Sequence, residues 1–152
     1  MSCIEYTVKV DANGDKFWYL NGKLHREDGP AIEFDNGNKC WFLNGELHRV
    51  DGPAIECDNG DKFWYLNGKL HREDGPAIEL ADGSKSWYLN DKLHRVDGPA
   101  CEHVNGDKSW YLNGKELTKE EFHSRMNDCS GKVVEIEGKK YTLQPIGEEN
   151  EL

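Results

Sequence analysis

Hydrophobic residues along this chain fall in two kinds of short cluster, separated by polar segments that contain glycine. One cluster is aromatic and reads Lys-x-Trp-Tyr-Leu, as in residues 16–20, and the other reads Pro-Ala-Ile-Glu-x, as in residues 30–34. Both return every 23 residues, a step marked by Trp18, Trp41, Trp64, Trp87 and Trp110. Such self-similarity indicates an array of structural repeats, which we place at residues 11–117.

Each unit is predicted to contain two short β-strands, because its clusters are rich in aromatic and β-branched residues. The Asn-Gly or Asp-Gly dipeptide between the clusters is typical of a tight hairpin. With Asn36-Gly37 at the centre of the turn, we expect Ile32 opposite Trp41 and Glu33 opposite Cys40. Alternation along the strands then puts Ile32, Trp41 and Leu43 on one face, and Ala31, Glu33, Cys40 and Phe42 on the other.

The remaining segment of each unit, NGKLHREDG at residues 21–29 in the first copy, has two interpretations. It is either a long return loop or a tight turn followed by a third strand. In a simple antiparallel meander, an odd number of strands per unit would make successive units point in opposite directions. A translational repeat therefore needs an even number of strands per unit, and we favour the loop. The expected fold is therefore mainly β, an elongated antiparallel meander of repeated β-hairpins.

The two ends depart from the repeat, as the caps of an array must. Residues 1–10 alternate apolar and polar positions and predict an edge strand, although the same turn count would set Lys9 opposite Trp18, so a bulge or a different loop is needed. Thr118 and Glu121 form a capping-box pattern that predicts a helix over 118–127. A terminal hairpin is expected over 131–146, and residues 147–152 form an acidic tail.

Composition narrows the classes of function. The chain is 36% hydrophobic and 32% charged, with a net charge of -10. That charge disfavours direct binding to nucleic acid or to an anionic membrane. Five cysteines without CxxC spacing, and no apolar run resembling a signal peptide or membrane span, predict a reduced, cytoplasmic protein.

The unit resembles the MORN repeat, through its aromatic strand, Asn-Gly-Lys, His-bearing loop and second strand with Asp/Asn-Gly. It departs from that family in the loop, where LHRxDGPA replaces a more glycine-rich sequence. The resemblance implies a rod of hairpins used for binding and scaffolding. This loop variant is similar to repeats of phage, giant-virus and bacterial proteins, which implies a phage or viral effector that blocks a host defence factor in the host cytoplasm.

The recurrent Leu-His-Arg-x-Asp-Gly-Pro-Ala loop invites a chemical interpretation, yet its pattern does not predict an enzyme. No serine recurs in register to act as a nucleophile. Equivalent histidines of adjacent units lie roughly 10 Å apart, too far to share one metal ion. No cofactor is expected. In the structural interpretation, Asp28 accepts bonds from its own loop backbone, Arg26 reaches a neighbouring unit, and His25 covers the tryptophan.

Two binding surfaces follow from the repeat. The first is an aromatic face, which includes Phe17, Tyr19, Phe42, Phe63, Tyr65, Tyr88 and Tyr111. The alternative is a ladder of loop residues, His25, Arg26, His48, Arg49, His71, Arg72, His94 and Arg95. We expect a non-enzymatic protein that docks another protein or a second copy of itself through the aromatic face. One alternative is a sponge that sequesters a small anion such as a nucleotide through the loops, and another is an acidic mimic of nucleic acid.

Overall fold

The computed structural model describes residues 5–127, 133–136 and 139–142. Its elements are β1 (Thr7–Val10), β2 (Lys16–Leu20), β3 (Lys23–Leu24), β4 (Ile32–Glu33), β5 (Lys39–Cys40), β6 (Phe42–Leu43), β7 (Glu46–Leu47), β8 (Ile55–Glu56), β9 (Lys62–Phe63), β10 (Tyr65–Leu66), β11 (Lys69–Leu70), β12 (Ile78–Glu79), β13 (Lys85–Ser86), β14 (Tyr88–Leu89), β15 (Lys92–Leu93), β16 (Cys101–Glu102), β17 (Lys108–Leu112), β18 (Lys115–Leu117), α1 (Lys119–Asn127), β19 (Val133–Ile136) and β20 (Lys139–Thr142).

The main sheet is an antiparallel meander in which each unit contributes one hairpin. Its strands lie in the order β1-β2-β4-β5-β8-β9-β12-β13-β16-β17-β18, and β3 pairs with β2 beside this path. The prediction of a mainly β meander of repeated hairpins with a short helix near the C-terminus is thus confirmed.

The register of the main hairpins differs by one residue from the prediction, which was wrong. Ile32 pairs with Cys40 and Glu33 with Lys39. The cause is a three-residue turn: the Gly37 N–H donates to the Phe34 carbonyl, and the Phe34 N–H donates to the Asn38 carbonyl. Gly37 has φ 94°, a left-handed conformation in which glycine forms the bulge that follows a type I turn.

The segment predicted to be a long return loop instead contains a second hairpin in every unit, so the alternative of a tight turn and a third strand is the better description. Asn44 (φ 53°) and Gly45 (φ 87°) make a two-residue turn between β6 and β7. Left-handed conformations at both central residues are what a type I′ turn requires, and Asn-Gly meets that requirement. The even-number rule still holds within the main sheet, because β7, β11 and β15 lie outside it.

The corrected register changes which side chains share a face of the sheet. One row, shared by paired strands, alternates lysine and glutamate from Lys16 to Lys108. The adjacent row, on the opposite face, starts at Phe17, Ile32 and Cys40. Isoleucine therefore lies with Cys40 and not with the tryptophan, and Glu33 lies with Lys39, contrary to the predicted faces.

The ends follow the same turn chemistry as the units. Strand β1 lies at the edge of the sheet with Val8, not Lys9, opposite Trp18, because its turn contains the same glycine bulge at Gly14. Helix α1 begins with the predicted capping box: the Glu121 N–H donates to Thr118 Oγ1 over 3.1 Å, and the Thr118 N–H donates to Glu121 Oε2 over 2.9 Å. Strands β19 and β20 form an antiparallel pair. The predicted acidic tail, 147–152, lies outside the described residues.

The buried core is thin in the part of the chain that the structure describes, where the most deeply buried residues of the repeat are small. The alanine of each Pro-Ala pair is fully buried, at Ala31, Ala54, Ala77 and Ala100. The carbonyl oxygen of each alanine accepts a 2.8 Å hydrogen bond from the backbone N–H of the tryptophan on the neighbouring strand. At the C-terminal end, Leu117 and Phe122 of the helical cap are buried. Neighbouring units therefore stabilise one another, as in other repeat arrays.

Candidate functional site

The arginine of every loop is held by contacts within its own unit. In the second copy, Arg49 Nε donates to Asp51 Oδ1 over 3.0 Å, and Nη1 donates to the Pro53 carbonyl over 3.1 Å and to Glu56 Oε1 over 2.8 Å. Its guanidinium carbon lies 4.0 Å from the centroid of the Trp41 ring. The same contacts recur at Arg26, Arg72 and Arg95. Arginine, and not the predicted histidine, covers the tryptophan.

The glycine of each Asp-Gly-Pro-Ala sequence closes the opposite side of this arginine. A Cβ added at Gly52 would lie 2.9 Å from the guanidinium carbon of Arg49. The guanidinium is thus held between an indole ring and a glycine backbone, and no larger residue fits there without displacing it.

The histidine of every loop joins neighbouring units. His48 Nδ1 accepts a 3.1 Å hydrogen bond from the backbone N–H of Asn67, the turn residue of the next unit. Equivalent bonds connect His25 to Asn44, His71 to Asn90 and His94 to Asn113. The side-chain link between units, predicted for arginine, is therefore made by histidine.

The loop ladder consequently has few polar groups left for a ligand. Each arginine faces two carboxylates, such as Asp51 and Glu56 around Arg49, so its positive charge is already compensated. The spaces between successive loops are open grooves lined by Trp41, Leu43 and Val50 as well as by these ion pairs. Such a surface is poorly suited to a small anion, which needs uncompensated donors.

On the other face of the sheet, the paired strands from β2 to β17 contribute a continuous row of uncharged side chains, and β1 adds Lys9 next to Phe17 at the N-terminal end. We call this row the apolar strip, and it consists of Phe17, Ile32, Cys40, Ile55, Phe63, Ile78, Ser86, Cys101 and Ser109. Except for Ile32, which is 9% exposed, its members are only half-buried. No second sheet covers them among the described residues.

Two further columns widen the apolar strip. On one side lie the remaining aromatic-face residues, all half-buried: Tyr19, Phe42, Tyr65, Tyr88 and Tyr111. On the other side, Phe34 contacts Phe17 edge to face, with ring centroids 6.4 Å apart. Cys57 and Leu80 occupy the position of Phe34 in the next two units. The structure therefore brings the predicted aromatic residues together on one face and separates them from the loop ladder.

Burial at this face also changes proton affinities. Burial, with the nearby Cys57 thiol adding to it, raises the pKa of the Cys40 thiol to about 11. Burial likewise raises the pKa of Tyr88, and the adjacent Cys101 thiol and Tyr65 add to the effect. These thiols and phenols are neutral at physiological pH, which keeps the apolar strip free of charge.

Neither a metal cluster nor a membrane span is present in the described part of the chain. Within residues 5–127, 133–136 and 139–142, no group of three or more His, Cys, Asp or Glu side chains could hold a metal ion. No helix in those ranges is long and apolar enough to cross a membrane.

No protein-family model matches this chain. No curated protein matches it either.

Sequence reasoning missed the aliphatic half of the apolar strip. A two-residue turn puts Ile32, and through the repeat its equivalents Ile55 and Ile78, on the tryptophan face. The signal was present in the sequence: the residue after each glycine is polar, at Asn38, Asp61 and Ser84, as expected for a turn that ends one position later.

Proposed function

We propose that this protein is a non-enzymatic binding protein that docks another protein through the apolar strip and its flanking aromatic column. The observation that carries the proposal is the continuity of the strip, which crosses the paired strands from Phe17 to Ser109 without a charged residue. Large contiguous apolar patches are rare on soluble monomers and commonly mark interaction sites.

The contrast between the two faces supports this choice of surface. The face opposite the strip carries the alternating lysines and glutamates and the arginine loops, whose charges compensate one another. Lys16 and Glu33, for example, lie 3.9 Å apart. Water therefore hydrates the charged face favourably. Covering the apolar face with a partner lowers the free energy by roughly 25 cal/mol per Å² of apolar area.

The alternative functions receive less support. A small-anion sponge would use the loop arginines, whose Nε and Nη1 groups already donate to carboxylates and carbonyls. An acidic mimic of nucleic acid needs a row of unpaired carboxylates, whereas the glutamates of the sheet alternate with lysines. The resemblance to MORN repeats is compatible with a scaffold or a viral effector in the cytoplasm, and that role is part of the proposal.

The test removes the two largest side chains of the strip. Phe17→Ser with Phe63→Ser places at both sites the residue that Ser86 and Ser109 already provide in the same row, so the units have a natural precedent for the change. We expect the tagged wild-type protein to retain a partner protein in native mass spectrometry after purification from cells that make it. The double variant should lose that partner and keep the wild-type circular dichroism spectrum.

A matched control removes apolar groups from the other surface. Val50 and Val96 lie on the loops and are 83% and 57% exposed. Val50→Ser with Val96→Ser should retain the partner. Retention by the phenylalanine variant, or a small non-protein mass released on denaturation, would contradict the proposal.

A further inference from the structure

Side-chain volume alternates along the apolar strip. At every second position the row reads Phe17, Cys40, Phe63, Ser86 and Ser109, so a large ring is followed by a small residue and then by another ring. The positions between them hold isoleucine at residues 32, 55 and 78. From Phe17 to Ser86 the strip therefore presents large and small side chains at a regular spacing, and Cys101 and Ser109 continue it with small residues.

This pattern is complementary to itself in the reverse direction. When two strips meet face to face in opposite directions with Ile55 opposite Ile55, Phe63 faces Cys40, Ile78 faces Ile32 and Ser86 faces Phe17. Every ring meets a small residue, and every isoleucine meets an isoleucine. Centring the pair on Phe63 instead would set two rings against each other and leave Cys40 opposite Ser86, with a gap.

We infer that the partner of the apolar strip is a second copy of this chain, in an antiparallel dimer whose twofold axis passes between the two Ile55 residues. The inference rests on the proposed function and identifies the docked protein. A twofold axis makes the interface isologous, so one surface supplies both halves. The strip carries no charge, so the net charge of -10 on each chain creates no like-charge contact within this row.

The flanking columns agree with this register. Phe34 of one copy faces Leu80 of the other, because they are displaced equally from Ile55 on opposite sides. Cys57 lies two residues beyond Ile55 on the same face, so each Cys57 faces its twin near the axis. The aromatic columns also meet, with Phe42 against Tyr65. All of these contacts are between apolar, aromatic or neutral thiol groups.

The size of the surface suits a stable dimer. Seven paired strand positions at ~4.8 Å give an overlap of about 30–35 Å, and three columns of side chains give a width of roughly 20 Å. The product, on the order of 600–700 Å² per copy, approaches the ~800 Å² per partner of a standard protein interface.

The first experiment measures mass in solution by light scattering and native mass spectrometry at micromolar concentration. We expect twice the chain mass of 17.4 kDa for the wild type. Ser86→Trp places an indole where Phe17 of the second copy must lie, so it should yield a monomer. Ser109→Trp is the matched control, because Ser109 has no opposite residue in this register and the dimer should persist. Circular dichroism verifies that both variants fold.

The second experiment requires no bulky substitution. With Cys3, Cys40, Cys101 and Cys129 changed to serine, a short bis-maleimide with a reach of ~10 Å, the separation of packed sheets, should link Cys57 to its twin. The control carries Cys57→Ser and Leu80→Cys. Its two thiols lie four strands apart along the row, about 19 Å, and should not be linked.

The outcomes separate the dimer from the proposed function. A monomeric wild type overturns the dimer, and it leaves the proposed function intact if Phe17→Ser with Phe63→Ser still abolishes capture of a different protein. Loss of the dimer in Ser109→Trp but not in Ser86→Trp overturns the Ile55-centred register in favour of one centred on Phe63. A dimer that survives both tryptophans, or that links through Leu80→Cys but not through Cys57, overturns the inference as well.

Discussion

The arginine of the repeated loop owes its position to residues on two sides of its guanidinium. Trp41 lies beneath Arg49, and Gly52 lies above it with space for no Cβ. Asp51 and Glu56 hold the two ends of the same group. Four recurring residues of each unit, a tryptophan, a glycine, an aspartate and a glutamate, are therefore explained by their contacts with one arginine, and a catalytic role is not needed to account for their repetition.

Gly52→Ala tests this arrangement. The added methyl displaces the Arg49 guanidinium, and because hydrogen bonds to charged groups are lost, we expect a destabilisation of about 1–3 kcal/mol in urea unfolding. In an Arg49→Ala background the same substitution should cost much less, because the clashing group is absent. Equal costs in both backgrounds would show that the glycine is required for another reason.

The half-buried Cys40 thiol leads to a prediction about the pH dependence of alkylation. Its pKa rises from 9.0 to about 11 on folding, chiefly through burial. Since only the thiolate is alkylated, the rate at Cys40 in the folded protein should keep increasing between pH 9 and pH 11. In urea, where the thiol has its ordinary pKa of 9.0, the rate should level off above about pH 10, as peptide mass spectrometry can measure. The stability linked to this thiol is complete below pH 9 and is lost as pH rises towards 11. A folded-state plateau by about pH 10, the same as in urea, would exclude the raised pKa.

At the scale of elements, each unit uses two glycine turns of different types. The turn of the main hairpin has three residues and a bulge, whereas the turn of the side hairpin has two residues, both in left-handed conformations. Gly45, Gly68 and Gly114 donate through their N–H groups to the Leu24, Leu47 and Leu93 carbonyls of the preceding unit. In the fourth unit Asp91 takes the glycine position at φ 65°, and its side chain accepts a 2.8 Å bond from the Leu70 N–H.

Asp91 provides a natural control for substitution at Gly68. Gly68→Ala forces a Cβ into a left-handed conformation and should destabilise the protein by about 1–2 kcal/mol. Gly68→Asp should cost less, because its carboxylate can accept a bond from the Leu47 N–H as Asp91 does from Leu70. Thermal unfolding of the two variants measures the difference, and an aspartate variant no more stable than the alanine variant would refute this account.

The same turns separate the features that could be predicted from the sequence from those that could not. The period, the strands of the main sheet and the capping box at Thr118 were predictable, because they depend on local patterns. The register was not, because Asn-Gly fits both a two-residue turn and a bulged turn, and the choice moves Ile32 from one face to the other. The contacts of His48 and Arg49 were also out of reach, since they depend on which unit each side chain meets.

At the scale of the whole molecule, units of two types alternate along the array, so that the first and third units are alike. Residues 13–33 and 59–79 are identical in sequence, and they are separated by a unit with Cys40 and Val50 in place of phenylalanine and glutamate. In a repeat array, stability is approximately a sum over units and over the contacts between neighbours. A pair of units should therefore be removable as a block.

Deletion of residues 34–79 joins Glu33 to Leu80 and recreates the natural sequence around Glu79. We expect the shortened chain to fold with the wild-type circular dichroism shape and a lower Tm, because fewer contacts between units remain. Calorimetry measures the Tm, and deletion of residues 40–85 is the control, since it fuses Lys39 to Ser86 across the same register. Failure of both shortened chains to fold would show that the units are not interchangeable.

The alternating row of lysine and glutamate on the back of the sheet has a consequence for the growth of such arrays. Every unit contributes one lysine and one glutamate to that row, as Lys39 and Glu56 do. Copying a unit therefore lengthens the row without building up repulsion along it. Duplication or deletion of units can therefore change the length of such a protein while the charges on this face remain balanced. The length of the array can then match the size of the surface that the apolar strip covers.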